Sequence, residues 1–233
     1  MRRVRERLSS LRDERGFTLI EIAVAMPIML IVMGGMTLML TTITHWSSQT
    51  QEETILQTES RAAVNRLETE IHGAFIGNDT PEITAATATS ITFTTPDEVP
   101  TTYSGPVGSP TELAFHLLQV SYNVTNGVLQ RRVATSTNTF PTAPLTTAWS
   151  FGAAGAWSTV LGQTGLGHIS NTNVFTYYTA SGLQTTPPTA LTFPISSTAG
   201  IKAVGVNFSL TTGGSQPDTL NITDIVDMRQ TDN

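Results

Sequence analysis

Residues 17–40 read FTLIEIAVAMPIMLIVMGGMTLML and hold one charged side chain, Glu21. As a helix with a rise of about 1.5 Å per residue, the run reaches roughly 36 Å, which is enough to cross a bilayer. Six arginines and three carboxylates precede it within residues 1–15. Because basic residues before an apolar segment stay in the cytoplasm, we expect the remainder of the chain to be extracytoplasmic.

Three interpretations of this segment compete: an ordinary secretory signal, a plain signal anchor, and an anchor processed by its own peptidase. An ordinary signal is cut beside small residues after its apolar core, whereas His45 and Trp46 come next here. Glu21 distinguishes the other two, because a carboxylate in hydrocarbon costs several kcal/mol and usually has a partner. Cutting the Gly16-Phe17 bond would create an ammonium near the membrane interface, which Glu21 of a neighbouring subunit could neutralise. A tolerated Glu21 near the helix end is the simpler alternative.

The segment RGFTLIE at residues 15–21 follows a basic leader and precedes an unbroken apolar helix, and it resembles the N-terminus of a type IV prepilin or a type II secretion pseudopilin. The resemblance implies that a prepilin peptidase cuts after Gly16 and methylates the amine of Phe17. It also implies that Glu21 is the assembly residue, which pairs with the N-terminal amine of an adjacent subunit. Pro27 departs from the family, whose helical prolines often lie further along, and it predicts an early bend.

The same resemblance implies the partners and the location. The partners are the prepilin peptidase, other pilins or pseudopilins in a helical filament, and membrane lipid before assembly. The chain is expected in the cytoplasmic membrane, with a single pass and an extracytoplasmic head. After assembly we expect it in a periplasmic or cell-surface filament.

An amphipathic continuation follows the apolar run. An apolar stripe recurs at helical spacing, at Leu56, Ala63, Leu67, Ile71 and Phe75. Gly73 and Gly77 supply stop signals. The sequence therefore predicts a leader over residues 1–16 and one long helix over residues 17–77, with its first half in the membrane.

From about residue 80 the apolar pattern changes to alternation, so residues 78–233 are predicted to form a β-rich head. A hairpin is predicted around the Asn126-Gly127 turn, with Tyr122 opposite Arg131 and able to stack on it. A second hairpin is predicted near the C-terminus, with a bulge or a strand end near Asp224. Further strand candidates are Ser90 to Thr95, Glu112 to Leu118 and Val174 to Thr179, and residues 135–173 are expected to be a long, partly ordered insertion. The expected fold is α+β and pilin-like, with the long helix packed on an antiparallel sheet.

Hydroxyl side chains dominate the composition, with 41 Thr and 18 Ser in 233 residues, which favours exposed β structure. The formal net charge of −6 argues against nucleic acid as the main partner. After the predicted cut, 6 basic and 15 acidic side chains remain, a net charge of −9. The chain has no Cys and its four His are isolated in sequence, so no catalytic residue, cofactor or metal site is predicted. Acidic residues that could offer oxygens to calcium are more simply a solvated face: Asp218, Asp224, Asp227 and Asp232.

The head shows a second, looser resemblance, to J-type minor pseudopilins, and another minor pilin remains an equal alternative. It rests on residues 66–71, 122–131, 175–182 and 226–229. The predicted function is a non-enzymatic minor pilin or pseudopilin subunit of a type IV pilus or a type II secretion pseudopilus. The alternative makes the head a binding module of an adhesive or DNA-uptake pilus, with exposed aromatics around Trp149 and Trp157. A membrane-tethered enzyme is the least supported class.

Overall fold

The computed structural model describes residues 18–74, 83–97, 116–138, 148–162, 167–179, 189–213 and 218–228. Within the described residues, one long helix, α1 (Leu19–His72), precedes nine strands. The strands are β1 (Ile83–Ala86), β2 (Ser90–Pro96), β3 (Leu117–Thr125), β4 (Val128–Thr135), β5 (Ser158–Leu161), β6 (His168–Ile169), β7 (Phe175–Tyr178), β8 (Ala203–Thr211) and β9 (Thr219–Asp227). All strand pairs are antiparallel. The predicted α+β, pilin-like architecture is confirmed.

The chain divides into two compact units, Met1–Gln51 and Glu52–Asn233. In the first unit α1 is apolar and its large side chains are exposed. Among the described residues, α1 is the one helix long and apolar enough to cross a membrane. The helix continues through Pro27 as a single element.

Hydroxyl groups in the first unit are bonded to the helix itself. Thr37, Thr42 and Thr44 each donate to the carbonyl four residues earlier, at 2.8–3.0 Å. A hydroxyl that donates to a carbonyl of its own helix keeps a hydrogen-bond partner in hydrocarbon, so the free-energy cost of its transfer from water is much smaller. The apolar character of α1 therefore extends beyond Leu40, toward Trp46.

In the second unit one face of α1 is buried, and it includes the predicted stripe. The buried residues are Leu56, Ser60, Ala63, Val64, Leu67 and Ile71. Phe75, the last position of the predicted stripe, lies outside the described residues. Ser60 and Ala63, whose side chains are small, are almost fully buried on this face.

The first sheet has the strand order β1-β2-β3-β4-β5. Its central hairpin has the predicted register, with Val120 opposite Val133 and Tyr122 opposite Arg131. Asn126 and Gly127 both have positive φ, 52° and 75°, as a two-residue turn of the I′ type requires. The predicted turn and register of this hairpin are confirmed.

In the second sheet β8 pairs with β6 and β7 on one side and with β9 on the other. The β8–β9 register runs without a shift from Ala203↔Asp227 to Thr211↔Thr219. The predicted bulge or strand end near Asp224 is therefore wrong. Asp224 pairs with Val206, and its own carboxylate accepts a hydrogen bond from the Ile225 amide at 2.8 Å, so the strand tolerates it at a half-exposed position.

Both sheets and α1 share one core in the second unit. The Ile169 amide donates to the Gly127 carbonyl at 2.8 Å and so ties β6 to the first hairpin. The predicted strands at residues 90–95 and 174–179 are confirmed as β2 and β7, whereas β3 begins at Leu117 and residues 112–115 lie outside the described residues. The expected insertion over residues 135–173 contains β5 and β6, so that part of the prediction underestimated its order.

Candidate functional site

The first turn of α1 is closed by a reciprocal cap between Thr18 and Glu21. The Thr18 amide and hydroxyl donate to Glu21 Oε2, at 3.0 and 3.1 Å. In return, the Glu21 amide donates to Thr18 Oγ1 at 3.3 Å. This is the capping-box arrangement, in which an N-cap hydroxyl and an acidic residue three positions later satisfy two helix-end amides.

The cap leaves part of the Glu21 carboxylate open. Both bonds that Glu21 accepts go to Oε2, and within the described residues Oε1 accepts none. An ionised carboxylate offers about four acceptor positions, so an amine from outside can bind without breaking the cap. Gly16 and Phe17, the predicted cleavage and methylation residues, lie outside the described residues.

In the head, three side chains converge on Glu70 of α1. The Tyr122 hydroxyl donates to Glu70 Oε2 at 2.7 Å, and Arg131 bonds both carboxylate oxygens at 2.9 and 3.1 Å. Arg66, one turn earlier on α1, contributes a third contact at 3.2 Å. Tyr122 and Arg131 were predicted to stack on each other, but what joins them is a shared carboxylate that links α1 to β3 and β4.

This cluster shifts the pKa values of Tyr122 and Arg131. Burial, together with the negative charge and hydrogen bond of Glu70, raises the pKa of Tyr122. Burial alone would lower the pKa of Arg131, but the hydrogen bond and charge of Glu70 outweigh it and raise that pKa. The tyrosine therefore stays protonated and the arginine stays charged, as a structural tie requires.

Two open clefts of several hundred Å³ are among those that flank α1 in the described part of the head. One, of about 440 Å³, is bordered by Arg66, Glu70, Asp97 and Arg131. The other, of about 350 Å³, lies between α1 and β5, beside Glu59 and Val160. In the described part of the chain, no three His, Cys, Asp or Glu side chains are grouped so that they could hold a metal ion.

Trp149 and Trp157, which were predicted as a possible binding surface, differ in their exposure to solvent. Trp149 is buried, with 7% of its surface exposed, whereas Trp157 is 38% exposed. The Arg132 guanidinium lies over the Trp157 ring, with Cζ 4.4 Å from the ring centroid. Trp149 is thus a core residue, and Trp157 is covered by a cation on one face.

Arg131 and Arg132 are adjacent in sequence and point to opposite faces of β4. Arg131 bonds Glu70 on the helix side, and Arg132 stacks on Trp157. No local sequence pattern predicts the contact between Arg132 and Trp157, because the two residues are 25 positions apart and no periodicity links them. The strand alternation of the predicted hairpin was nonetheless sufficient to separate the two arginines.

Comparison with known proteins concerns the N-terminal region. Residues 11–37 match the family model described as the prokaryotic N-terminal methylation motif. No match was found among the curated proteins. The matched range covers Gly16, Phe17, the Thr18–Glu21 cap and the first part of α1. The chain therefore carries the N-terminal methylation motif, which indicates a precursor of the type IV pilin-like or pseudopilin-like kind.

Proposed function

We propose that this protein is a structural subunit, a minor pilin or pseudopilin, of a type IV pilus or a type II secretion pseudopilus. A prepilin peptidase cuts after Gly16 and methylates the amine of Phe17. The processed chain is stored in the cytoplasmic membrane and then packs, with other pilins or pseudopilins, into a helical filament. Within this class, a J-type minor pseudopilin, which the head loosely resembles, and another minor pilin are equal candidates.

The observation that carries the proposal is the methylation motif at residues 11–37, joined to an exposed apolar helix that begins at Leu19. An apolar helix of this length is stable in lipid or in a filament core, and in water it would aggregate. Moving between these two environments needs no change in its surface, since both are apolar.

Glu21 has a defined part in this function. Its carboxylate lies one turn inside the helix, and the new N-terminal amine of a neighbouring subunit gives it a partner of opposite charge. In an apolar environment, an unpaired carboxylate costs several kcal/mol, so the pair favours subunits that are in register.

A second candidate function, a head that binds a surface or DNA, has weaker support. Trp149 is buried and is not available to a ligand. The net charge of −9 after the cut disfavours contact with a phosphate backbone. Trp157 remains partly exposed, but it is stacked against Arg132.

The proposed function is tested by Glu21→Ala and Glu21→Gln in cells that contain the filament machinery. Both variants should be processed to Phe17, because the peptidase acts one turn away, but both should lose assembly by at least about tenfold. Processing is measured by mass spectrometry and assembly by the amount of filament that can be sheared and pelleted.

The glutamine variant separates two roles of Glu21. Its amide oxygen can still accept the Thr18 bonds, so it keeps the cap and removes only the charge. If Glu21→Gln assembles like the wild type, charge pairing is not the role of Glu21. Normal assembly of Glu21→Ala would remove the residue from assembly altogether.

A further inference from the structure

Trp46 lies at the end of the apolar part of α1, and its side chain is 72% exposed. Large apolar residues recur before it, up to Ile43, whereas residues 47–53 read SSQTQEE and include none. The helix itself continues through this change, to His72. Trp46 therefore marks the boundary between an apolar and a polar stretch of one continuous helix.

The indole of Trp46 is amphipathic, and its two parts have different surroundings. Its ring shares one face of α1 with Met39, Thr42 and Ile43, which help to line an open concavity of about 700 Å³. The Thr42 hydroxyl is already bonded, because it donates to the Leu38 carbonyl at 2.8 Å. Within the part of the chain that the structure describes, the indole N–H donates to no acceptor. Such a side chain fits a layer that offers both hydrocarbon and hydrogen-bond acceptors.

α1 carries no second residue that could hold this end of its apolar part at an interface. Between Leu19 and His72, Trp46 is the one Phe, Trp or Tyr, and the first Lys or Arg is Arg61. Tryptophan, tyrosine and long cationic side chains are the residues that anchor a membrane helix at the boundary between lipid and water. Within α1, anchoring at this end therefore depends on Trp46.

The length of α1 places Glu21 and Trp46 at opposite sides of a bilayer. Trp46 follows Glu21 by 25 positions, which is a rise of about 38 Å in a helix. The hydrocarbon layer is about 30 Å thick, and the bilayer is about 40–45 Å thick with its interfacial layers. Both side chains thus fit in interfacial layers at the same time. Arg12 and Arg15 precede Glu21 and stay on the cytoplasmic side, so the opposite surface is left for Trp46.

We propose that Trp46 binds lipid at the outer interface of the cytoplasmic membrane and anchors α1 at that depth. Its ring lies among the upper parts of the acyl chains, and its N–H donates to lipid carbonyl groups. The inference rests on the membrane-stored chain of the proposed function and adds a lipid contact to it. Lipid is the occupant that the observations favour, because the exposed ring lies where the apolar surface ends and the helix length matches the bilayer. The contact keeps Glu21 in the cytoplasmic interface until a neighbouring amine binds it.

The location of Trp46 is tested with the full chain in vesicles of phosphatidylethanolamine and phosphatidylglycerol. One set of vesicles carries bromine near the headgroup end of the acyl chains, and another carries it near the terminal methyl. The emission of Trp46 is the difference between the wild type and Trp46→Tyr, and bromine near the headgroup should quench it at least about twofold more strongly. Equal or stronger quenching near the terminal methyl would overturn the proposal. So would no quenching in either set, as when a protein partner covers the ring.

The anchoring role is tested with a nitroxide label at Ser48, an exposed position just beyond Trp46. The chain has no cysteine, so Ser48→Cys provides a single labelled site. Trp46→Leu should lower the collision rate of this label with a water-soluble nickel complex by at least about twofold, because leucine partitions into hydrocarbon and draws the helix inward. Trp46→Tyr keeps a ring with a polar tip and should leave the collision rate unchanged.

An unchanged collision rate in Trp46→Leu, or an equal fall in Trp46→Tyr, would overturn the anchoring role. Both measurements need neither the peptidase nor a filament, so they are independent of processing and assembly. A wild-type chain that keeps Met1 in cells that contain the peptidase would instead contradict the proposed function itself.

Discussion

At the scale of the residue, Glu70 makes the clearest polar link between α1 and the first sheet of the head. Its carboxylate accepts a hydrogen bond from a phenol and pairs with two guanidinium groups, and it thereby joins α1 to two strands of the first sheet. Because its carboxylate side chain is only 16% exposed, these bonds are poorly replaced by water. The network should therefore contribute to stability in a way that depends on the protonation of Tyr122.

Tyr122→Phe should change how stability depends on pH. The pKa of Tyr122 is raised in the folded state, so above about pH 10 the unfolded chain loses the phenolic proton first. The contribution of Tyr122 is fully present below that pH and declines as the pH rises. Removal of the hydroxyl should cost about 1–2 kcal/mol at pH 7 and should flatten the decline above pH 10.

The measurement is urea unfolding of the full chain in detergent, at pH 7 to 11. Tyr178→Phe is the matched control, because no carboxylate of the described chain is bonded to that hydroxyl. The account of Glu70 would be wrong if Tyr122→Phe left both the stability at pH 7 and the slope above pH 10 unchanged.

Sequence reasoning identified Glu21 and missed Glu70, and the difference is physical. Glu21 is conspicuous because every neighbour in residues 17–40 is uncharged. Glu70 is one of several charged residues on the polar side of an amphipathic helix, and its partners lie 52 and 61 positions away. A charge within an apolar run can be recognised from the neighbouring residues alone. A pair of residues that are distant in sequence can be recognised only from the fold.

At the scale of the element, the buried stripe of α1 determines how the helix is attached to the head. Leu67 lies at the centre of this stripe and is fully buried. The periodicity of the sequence was enough to predict it, because helical spacing reports directly on one face. Short strands such as β5 and β6 were not predicted, since four and two residues give too little alternation to stand out.

Leu67→Ala should destabilise the head by about 2–5 kcal/mol, through lost burial and the cavity it leaves. Urea unfolding of the full chain in detergent measures the effect. Asn65→Ala, at an exposed position of the same helix, should change stability by no more than about 0.5 kcal/mol. Equal effects of the two substitutions would contradict the assigned packing face.

At the scale of the whole molecule, the chain has one apolar unit and one acidic, β-rich unit. The apolar helix of the first unit was predictable, because an apolar run that holds a single charge is a local feature. The register of the first hairpin was predictable for the same reason, since the Asn126-Gly127 turn determines every pair. The division of the head into two sheets was not, because it depends on long-range pairing such as that of β6 and β7 with β8.

The proposed function depends first on cleavage of this chain between Gly16 and Phe17. Mass spectrometry of the native protein's N-terminus tests this directly, in cells that contain the peptidase. We expect N-methylated Phe17 as the first residue of the wild type. For Gly16→Val we expect full-length precursor in the membrane fraction, because the added β-carbon obstructs the approach of the peptidase to the backbone. A wild-type protein that begins at Met1, or well downstream of Phe17, would contradict cleavage at this bond.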